Sequence, residues 1–186
     1  AIFHGLGLNV MIFDYRGYGA SAGRPNEKGT YLDAQAAYDW VVKEKGALPR
    51  DIIAYGESLG GSIAAHLAGT NECGGLILDS AFTSLAAVGQ RHFPWLPVRW
   101  IVGNKYDTTA FLAKVNCPVL VIHSRDDEIV PFDMGEELFR LAREPKKFVE
   151  IRGTHNEGFI ESEDAYVQEL RDWLQESEKR KAINEK

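Results

Sequence analysis

The sequence predicts an α/β fold built on a mainly parallel sheet. Short runs rich in Val and Ile alternate along the chain with longer amphipathic segments, which is the order of elements that such folds show. Most of the short runs lack the alternation of polar and apolar residues that marks a strand with one solvated face. We therefore expect them to be buried on both faces, as parallel strands are.

Five segments are predicted as strands and four as helices. The strand candidates are short and apolar, and most end in Gly, Asp or Ser; they are 9–15, 51–56, 74–81, 118–124 and 147–153. In the helix candidates apolar residues recur at helical spacing; these candidates are 29–45, 59–69, 131–143 and 160–177. The charged tail 175–186 is expected to fray into solvent.

The interval 82–117 interrupts this alternation. It contains FPWLPVRWIVGNKYD, which is too apolar for a linker and whose prolines prevent a long helix. We expect a cap insertion at 83–112 over one end of the sheet. The whole chain, 1–186, has the length of a single domain.

Composition and charge argue against several classes of function. The chain has 186 residues and a formal net charge of −6, so no nucleic acid partner is expected. Its two cysteines, Cys73 and Cys117, lie far apart and form no Cys/His cluster, so no metal is expected. GYGASA at 17–22 fits a dinucleotide-binding fingerprint, but Gly and Pro residues follow where a helix should run. We therefore predict no cofactor.

The stretch GESLGG, 56–61, stands at a predicted junction between a strand and a helix. Gly56 and Gly60 are expected to remove Cβ atoms that would collide in a sharp elbow, which leaves the hydroxyl of Ser58 exposed. Open parallel sheets bind ligands beyond the carboxyl ends of their strands, where this serine lies. The N–H of Leu59, at a helix N-terminus, is expected to stabilise an oxyanion. Ser58 is therefore predicted as a nucleophile rather than as a helix cap.

A serine nucleophile needs a histidine base, and His155 is the favoured one of the five histidines. It lies in the loop GTHNEG directly after a strand candidate, and it follows Ser58 in the chain as the base of an elbow-type enzyme does. The other four are less well placed: His4 precedes the serine, His66 lies two turns along the helix, His92 is in the cap, and His123 is expected to be a packing residue with both nitrogens satisfied.

The carboxylate that orients the base is expected in SRDDEIVP, the loop after strand candidate 118–124. Asp126, Asp127 and Glu128 are adjacent there, and spacing alone does not choose among them. Asp79, at the end of the preceding strand candidate, is a further candidate, although it could instead hydrogen-bond the backbone of the next turn.

Four stretches resemble the α/β-hydrolase-fold serine hydrolases: DYRGYGASAG (14–23), YGESLGG (55–61), CPVLVIHSRDDEIVP (117–131) and GTHN (153–156). The family's loop pattern H-G-x-x-D-x-x-V-P, laid on 123–131, implies that Asp127 is the acid of a Ser58–Asp127–His155 triad. Position 124 is Ser where the family usually has Gly.

The sequence around the cap resembles a branch with lysophospholipase-like, monoacylglycerol-lipase-like and protein-depalmitoylating members. This resemblance implies hydrolysis of a small acyl ester, thioester or lipid through an acyl-enzyme. It also implies membrane association through a segment ahead of the domain. Candidate residues for an acyl pocket lie in the cap, with packing onto the sheet as an equal alternative; they are Phe93, Trp95, Leu96 and Trp100.

The resemblance further implies that the N-terminal part of the fold is missing. The family has strands and a helix before DYRGYG, and a loop there supplies a second oxyanion donor. FHGLG (3–7) mimics that loop but abuts the strand candidate 9–15, so we expect it to be a helix end with its turn. The expected result is a gap in the sheet, which leaves a catalytically inactive fragment or a binding scaffold as the alternative. A serine peptidase is a further alternative.

Overall fold

A parallel sheet of four strands forms the centre of the protein, seen in a computed structural model that describes residues 2–103 and 105–184. The strands pair in chain order, and each neighbouring pair is parallel. They are β1 (Ile53–Glu57), β2 (Gly75–Asp79), β3 (Val119–Ser124) and β4 (Lys146–Ile151). Because the strands are parallel, their carboxyl ends meet at one edge of the sheet. Four of the five strand predictions are thereby confirmed.

Helices cover both faces of this sheet. In chain order the described ones are α1 (Ile2–Gly5), α2 (Glu27–Lys45), α3 (Leu59–Thr70), α4 (Leu85–His92), α5 (Val98–Val102), α6 (Thr108–Leu112), α7 (Phe132–Leu141), α8 (Gly158–Glu161) and α9 (Glu163–Asn184). None of them, over the residues described, is both long and apolar enough to cross a bilayer. The four predicted helices correspond to α2, α3, α7 and α9.

Alternate residues of the two central strands build the two halves of the core. Leu76 and Val121 face α2, α3, α6 and α7 on one side, whereas Ile77 and Ile122 face α9 on the other. All residues of β2 and β3 are buried, which confirms the expected burial on both faces. Covering both faces in this way is the general arrangement of parallel sheets.

Residues 9–15, predicted as a strand, form no strand. A strand needs a neighbour to complete its backbone hydrogen bonds, and in the part of the chain that the structure describes β1 pairs only with β2. The segment therefore has no ladder to join, and Ile12 is left 89% exposed. Arg16, directly after this segment, forms an ion pair at 2.7 Å with Asp33 of α2. FHGLG lies in α1 and the turn after it, as expected.

The charged tail, expected to fray from residue 175, instead continues α9 as far as Asn184; residues 185–186 lie outside the described ones. Glu, Lys, Arg and Ala are strong helix formers, so this composition extends a helix that is already nucleated. The tail is also tied to the body of the protein, because Lys181 Nζ lies 3.2 Å from Asp51 Oδ1.

The interval 82–117 contains α4, α5 and α6. The last of these helices packs against α3, and Leu112 is fully buried in the core. The end of α4 lies against the loop after β3, since His92 Nε2 donates to the carbonyl of Ile129 at 2.7 Å. Arg91 forms an ion pair with Asp133 of α7. Asn104 lies outside the described residues.

Candidate active site

Ser58 occupies a strained turn between β1 and α3. Its backbone has φ 51° and ψ −117°, a conformation that costs a non-glycine residue about 1–3 kcal/mol. Its N–H donates to the carbonyl of Asp79 at 2.9 Å, which fixes the turn to the end of β2. The side chain makes no capping hydrogen bond to α3, so the hydroxyl does not cap the N-terminus of this helix.

Glycine at position 56 is required by close packing inside this elbow. A Cβ there would lie 2.1 Å from the carbonyl oxygen of Gly60, which is far inside van der Waals contact. The prediction that a Cβ at Gly60 would also collide in the elbow is wrong, because the nearest atom to a Cβ there is Tyr15 Oη at 4.0 Å. The second close approach belongs instead to Gly61, where a Cβ would lie 2.5 Å from the Cβ of Ala81.

This difference yields a matched pair of substitutions. We expect Gly56→Ala to lower the free energy of unfolding by about 1–3 kcal/mol, since the elbow must open to admit the methyl group. Gly60→Ala, within the first turn of α3, should leave stability unchanged or raise it by up to about 1 kcal/mol. Urea unfolding followed by circular dichroism measures both values. Equal losses in the two variants would contradict the packing described.

Asp127 and His155 form a buried pair in the loops after β3 and β4. His155 Nδ1 lies 2.7 Å from Asp127 Oδ2 and donates to it. The other oxygen, Oδ1, accepts the N–H groups of Ile129 at 2.9 Å and Val130 at 2.7 Å. The two residues are only 8% and 7% exposed. With Nδ1 committed to the carboxylate, Nε2 is the nitrogen left to accept a proton.

The electrostatics of the pair favour a charged carboxylate and a basic imidazole. Burial alone would raise the pKa of Asp127, but the hydrogen bonds from His155, Val130 and Ile129 outweigh it and lower that pKa. The hydrogen bond to Asp127 raises the pKa of His155 against the opposing effect of burial, and the nearby carboxylates of Glu57 and Glu128 add to the rise.

The neighbours of Asp127 in the acidic loop have other contacts. Asp126 is exposed, and its Oδ1 lies 3.4 Å from Arg152 Nη1. Glu128 Oε2 accepts the backbone N–H of His155 at 3.0 Å. Of the three adjacent carboxylates, Asp127 is therefore the one placed to orient the imidazole.

Asp79 is buried and has tyrosine partners. Its Oδ2 accepts the hydroxyls of Tyr166 at 2.7 Å and Tyr55 at 3.0 Å, and Ser80 Oγ lies 3.4 Å from Oδ1. The suggestion that it bonds the backbone of the next turn is thus wrong. Sequence reasoning had no means of finding this network, because Tyr166 lies 87 residues further along the chain.

Two of the other histidines make contacts of their own, His66 with Tyr31 and His123 with Val130. His66 stacks on Tyr31, with ring centroids 4.1 Å apart. His123 is fully buried and donates from Nε2 to the carbonyl of Val130 at 2.9 Å. Its Nδ1 has no hydrogen-bond partner, so the expectation that both nitrogens are satisfied is wrong. The core makes room for this ring at Gly135, where a Cβ would lie 2.5 Å from Nδ1.

Ser58 and the acid–base pair share the carboxyl edge of the sheet, but no hydrogen bond joins Ser58 to His155. Glu57, which precedes the serine, is close enough for its charge to raise the pKa of the imidazole. In turn, burial and the charge of Asp79 raise the pKa of Glu57, while His155 lowers it. Contacts between nucleophile and base are often long when no substrate is bound.

The cap aromatics lie on the surface, where Trp100 is 92%, Trp95 78% and Phe93 51% exposed, and Leu96 is half-buried. At such exposure Phe93, Trp95 and Trp100 are not packed onto the sheet, so that alternative is wrong for these three residues. A cavity of about 340 Å³ opens instead beside Glu57, and aromatic rings line much of it; they belong to Phe3, Tyr55, Phe159 and Tyr166. Its lining includes Glu57, the residue that precedes Ser58 in the chain.

Comparison with known proteins gives both a family match and relatives. The family described as serine aminopeptidase, S33, matches residues 1–111. An uncharacterized Mycobacterium tuberculosis protein is 46% identical over 155 residues, which are 83% of this chain and 55% of that protein. A zebrafish (Danio rerio) protein named lysophosphatidylserine lipase ABHD12 is 33% identical over 78% of this chain and 42% of its own length. The chain thus spans about half the length of the curated relatives it matches.

Solved structures share the fold. An esterase from Pyrococcus furiosus superposes with a TM-score of 0.75 at 19% identity, covering 94% of this chain and 72% of the esterase. A monoacylglycerol lipase from Paleococcus ferrophilus gives 0.68 at 22% identity, covering 95% of this chain and 88% of the lipase. At such identities the likeness concerns the arrangement of strands and helices.

Proposed function

Because the chain belongs to the serine aminopeptidase S33 family of α/β-hydrolase-fold proteins, we propose that it is a serine hydrolase that cleaves carboxylic esters or thioesters. The observation that carries the proposal is the 2.7 Å hydrogen bond between Asp127 and His155, at the same edge of the sheet as the strained turn of Ser58. A nucleophile, a base and an orienting carboxylate are the three parts that acyl transfer by serine requires.

In the proposed reaction Ser58 Oγ attacks the carbonyl carbon of the substrate while His155 Nε2 takes its proton. The tetrahedral intermediate collapses as the bond to the leaving oxygen or sulfur breaks, and the imidazolium returns the proton to that atom. Water then attacks the acyl-enzyme with the same base, which releases the acid and restores the serine. Asp127 stays ionised throughout and stabilises the imidazolium.

The N–H of Leu59 is the proposed donor to the oxyanion. It belongs to the first residue of α3, and the first N–H groups of a helix have no partner within the helix. The positive end of the helix dipole adds to the attraction for negative charge. One such donor contributes about 2.7–4 kcal/mol of transition-state stabilisation in enzymes of this type.

An acyl group is the proposed part of the substrate that the site recognises. Two features support it: the aromatic cavity of about 340 Å³ beside Glu57, and the exposed side chains of Phe93, Trp95 and Trp100 on the cap. The name of the zebrafish relative is consistent with a lipid ester. The cap aromatics stay proposed contacts for an acyl chain.

The proposal is tested with p-nitrophenyl esters of graded chain length, acyl-CoA thioesters and aminoacyl p-nitroanilides. We expect turnover of esters or thioesters that depends on chain length, with little turnover of the anilides. Preference for the anilides would favour the peptidase alternative that the family description suggests. Turnover of none of them by wild-type protein would favour the inactive scaffold.

A further inference from the structure

The loops that carry Asp127 and His155 are joined by more than that pair. Strands β3 and β4 are in register up to Ser124 and Ile151, and Arg125 N still donates to the carbonyl of Ile151 at 3.1 Å. Beyond this point no further backbone hydrogen bond between the two loops is found among the described residues. Their relative position therefore depends on side chains.

Ser124 provides a buried connection between the two loops. This last residue of β3 is fully buried, and its hydroxyl donates to the carbonyl oxygen of Gly153 in the loop of the base. Ser124 Oγ also accepts the N–H of Asp126 at 3.1 Å, in the loop of the acid. A buried group that loses such a partner has no water to replace it, so the connection is costly to break.

Gly153 has a conformation that only glycine adopts easily. Its φ is +105°, and a Cβ there would lie 2.9 Å from Glu161 Cδ and 3.0 Å from Gly158 Cα. The backbone is therefore held in one sharp turn between β4 and α8. His155 comes two residues later, so the turn whose carbonyl accepts the Ser124 hydroxyl also determines where the main chain of His155 lies.

Glu128 forms a second connection, on the exposed side. Its Oε2 accepts the backbone N–H of His155 at 3.0 Å. The main chain around the base is thus held at the carbonyl of Gly153 and at the amide of His155; the holding groups come from the end of β3 and from the loop after it.

We propose that Ser124 is a positioning residue for the Asp127–His155 pair, and that its hydroxyl together with the Glu128 carboxylate clamps the two loops. The inference rests on the proposed function for its effect on turnover, but the clamp itself is a matter of geometry. It assigns a role to position 124, at the end of β3, where the chain has Ser in place of the Gly that the resemblance leads one to expect.

Ser124→Ala tests the buried half with the least change in volume. We expect the variant to fold, and the pKa of His155, read from NMR titration of its ring, to fall by about 0.5–1 pH unit because the hydrogen bond to Asp127 loosens. With an ester substrate, kcat should fall about tenfold while KM changes less than about twofold, as expected when only the reacting groups are misaligned.

Thr108→Val is the matched control. The hydroxyl of Thr108 is also fully buried, but it has no hydrogen-bond partner and lies in α6, away from both loops. The control removes a buried hydroxyl without touching the clamp. We expect the pKa of His155 and the value of kcat to stay at their wild-type values in this variant.

Glu128 offers a second pair of variants that does not depend on the buried site. Glu128→Gln keeps an acceptor for the amide of His155, whereas Glu128→Ala removes it. Hydrogen exchange of that amide should be about tenfold faster in the alanine variant and close to wild type in the glutamine variant. If Ser124→Ala fails to fold, this pair decides the matter.

Two results would overturn the clamp: a His155 pKa in Ser124→Ala equal to that in Thr108→Val, or equal amide exchange in the two Glu128 variants. These measurements need no turnover. If wild-type protein lacks Ser58-dependent hydrolysis, the proposed function fails, while the titration and the exchange still report on the clamp.

Discussion

Ser58→Ala is expected to abolish both hydrolysis and covalent labelling by a fluorophosphonate probe. Removal of the nucleophile leaves no group that can form the acyl-enzyme, and losses of kcat on the order of 10⁴-fold or more are usual for such a change. The substitution keeps the strained backbone at φ 51° and removes only the hydroxyl. Gel fluorescence after labelling and ester turnover measure the two effects independently.

Ser80→Ala is the control for this prediction. Ser80 is likewise a serine at positive φ, 46°, directly after a neighbouring strand, but it is buried and its hydroxyl faces Asp79. Labelling of this variant should match wild type. Equal labelling of wild type and Ser58→Ala would end the claim that the protein is a serine hydrolase.

Asp127→Asn is expected to lower kcat by about 10³–10⁴-fold and to move the acidic limb of the pH–rate profile to lower pH. The base must be neutral to accept a proton, so activity rises as pH passes upward through the pKa of His155. That pKa is raised above its ordinary value mainly by the hydrogen bond to Asp127. Loss of the carboxylate charge lowers it, and the limb shifts in the same direction. Measurement of kcat/KM against pH gives both effects.

Asp126→Asn is the matched control, because its carboxylate is adjacent in the chain but pairs with Arg152 instead of the imidazole. We expect its rate and its acidic limb to stay within about twofold and about 0.2 pH unit of wild type, as for exposed charges in general. An unchanged limb in Asp127→Asn, or equal losses in the two variants, would mean that the acid was assigned wrongly.

Most of the sheet can be predicted from its short apolar runs, because β2 and β3 are buried along their whole length and β1 and β4 are buried in part. Segment 9–15 has the same apolar composition, yet it forms no strand, because propensity cannot supply the partner that a ladder needs. The prediction that the tail 175–186 frays is wrong for the opposite reason, since composition there understates the order of the chain. Its charges suggest solvation, but Glu176 and Arg180 lie one turn apart, 3.9 Å from each other, on a continuous helix.

The site was predictable where local chemistry decides it and unpredictable where tertiary contacts do. The elbow and its serine can be inferred from glycine spacing, although Gly61 and not Gly60 makes the second close approach. The choice of Asp127 over its neighbours needed the family resemblance, since three adjacent carboxylates look alike in sequence. The contact of Glu128 with the main chain of His155 left no signal at all, because the two residues lie 27 positions apart.

The tyrosine network around Asp79 links the long helix α9 to the turn that carries Ser58. Tyr166 lies in α9 and donates its hydroxyl to the carboxylate of Asp79. The main-chain carbonyl of Asp79 in turn accepts the N–H of Ser58. A protease that removed the last helix would therefore do more than shorten the chain. It would release one support of the turn that carries Ser58, so we expect the intactness of α9 to be readable from the reactivity of a serine more than 100 residues away.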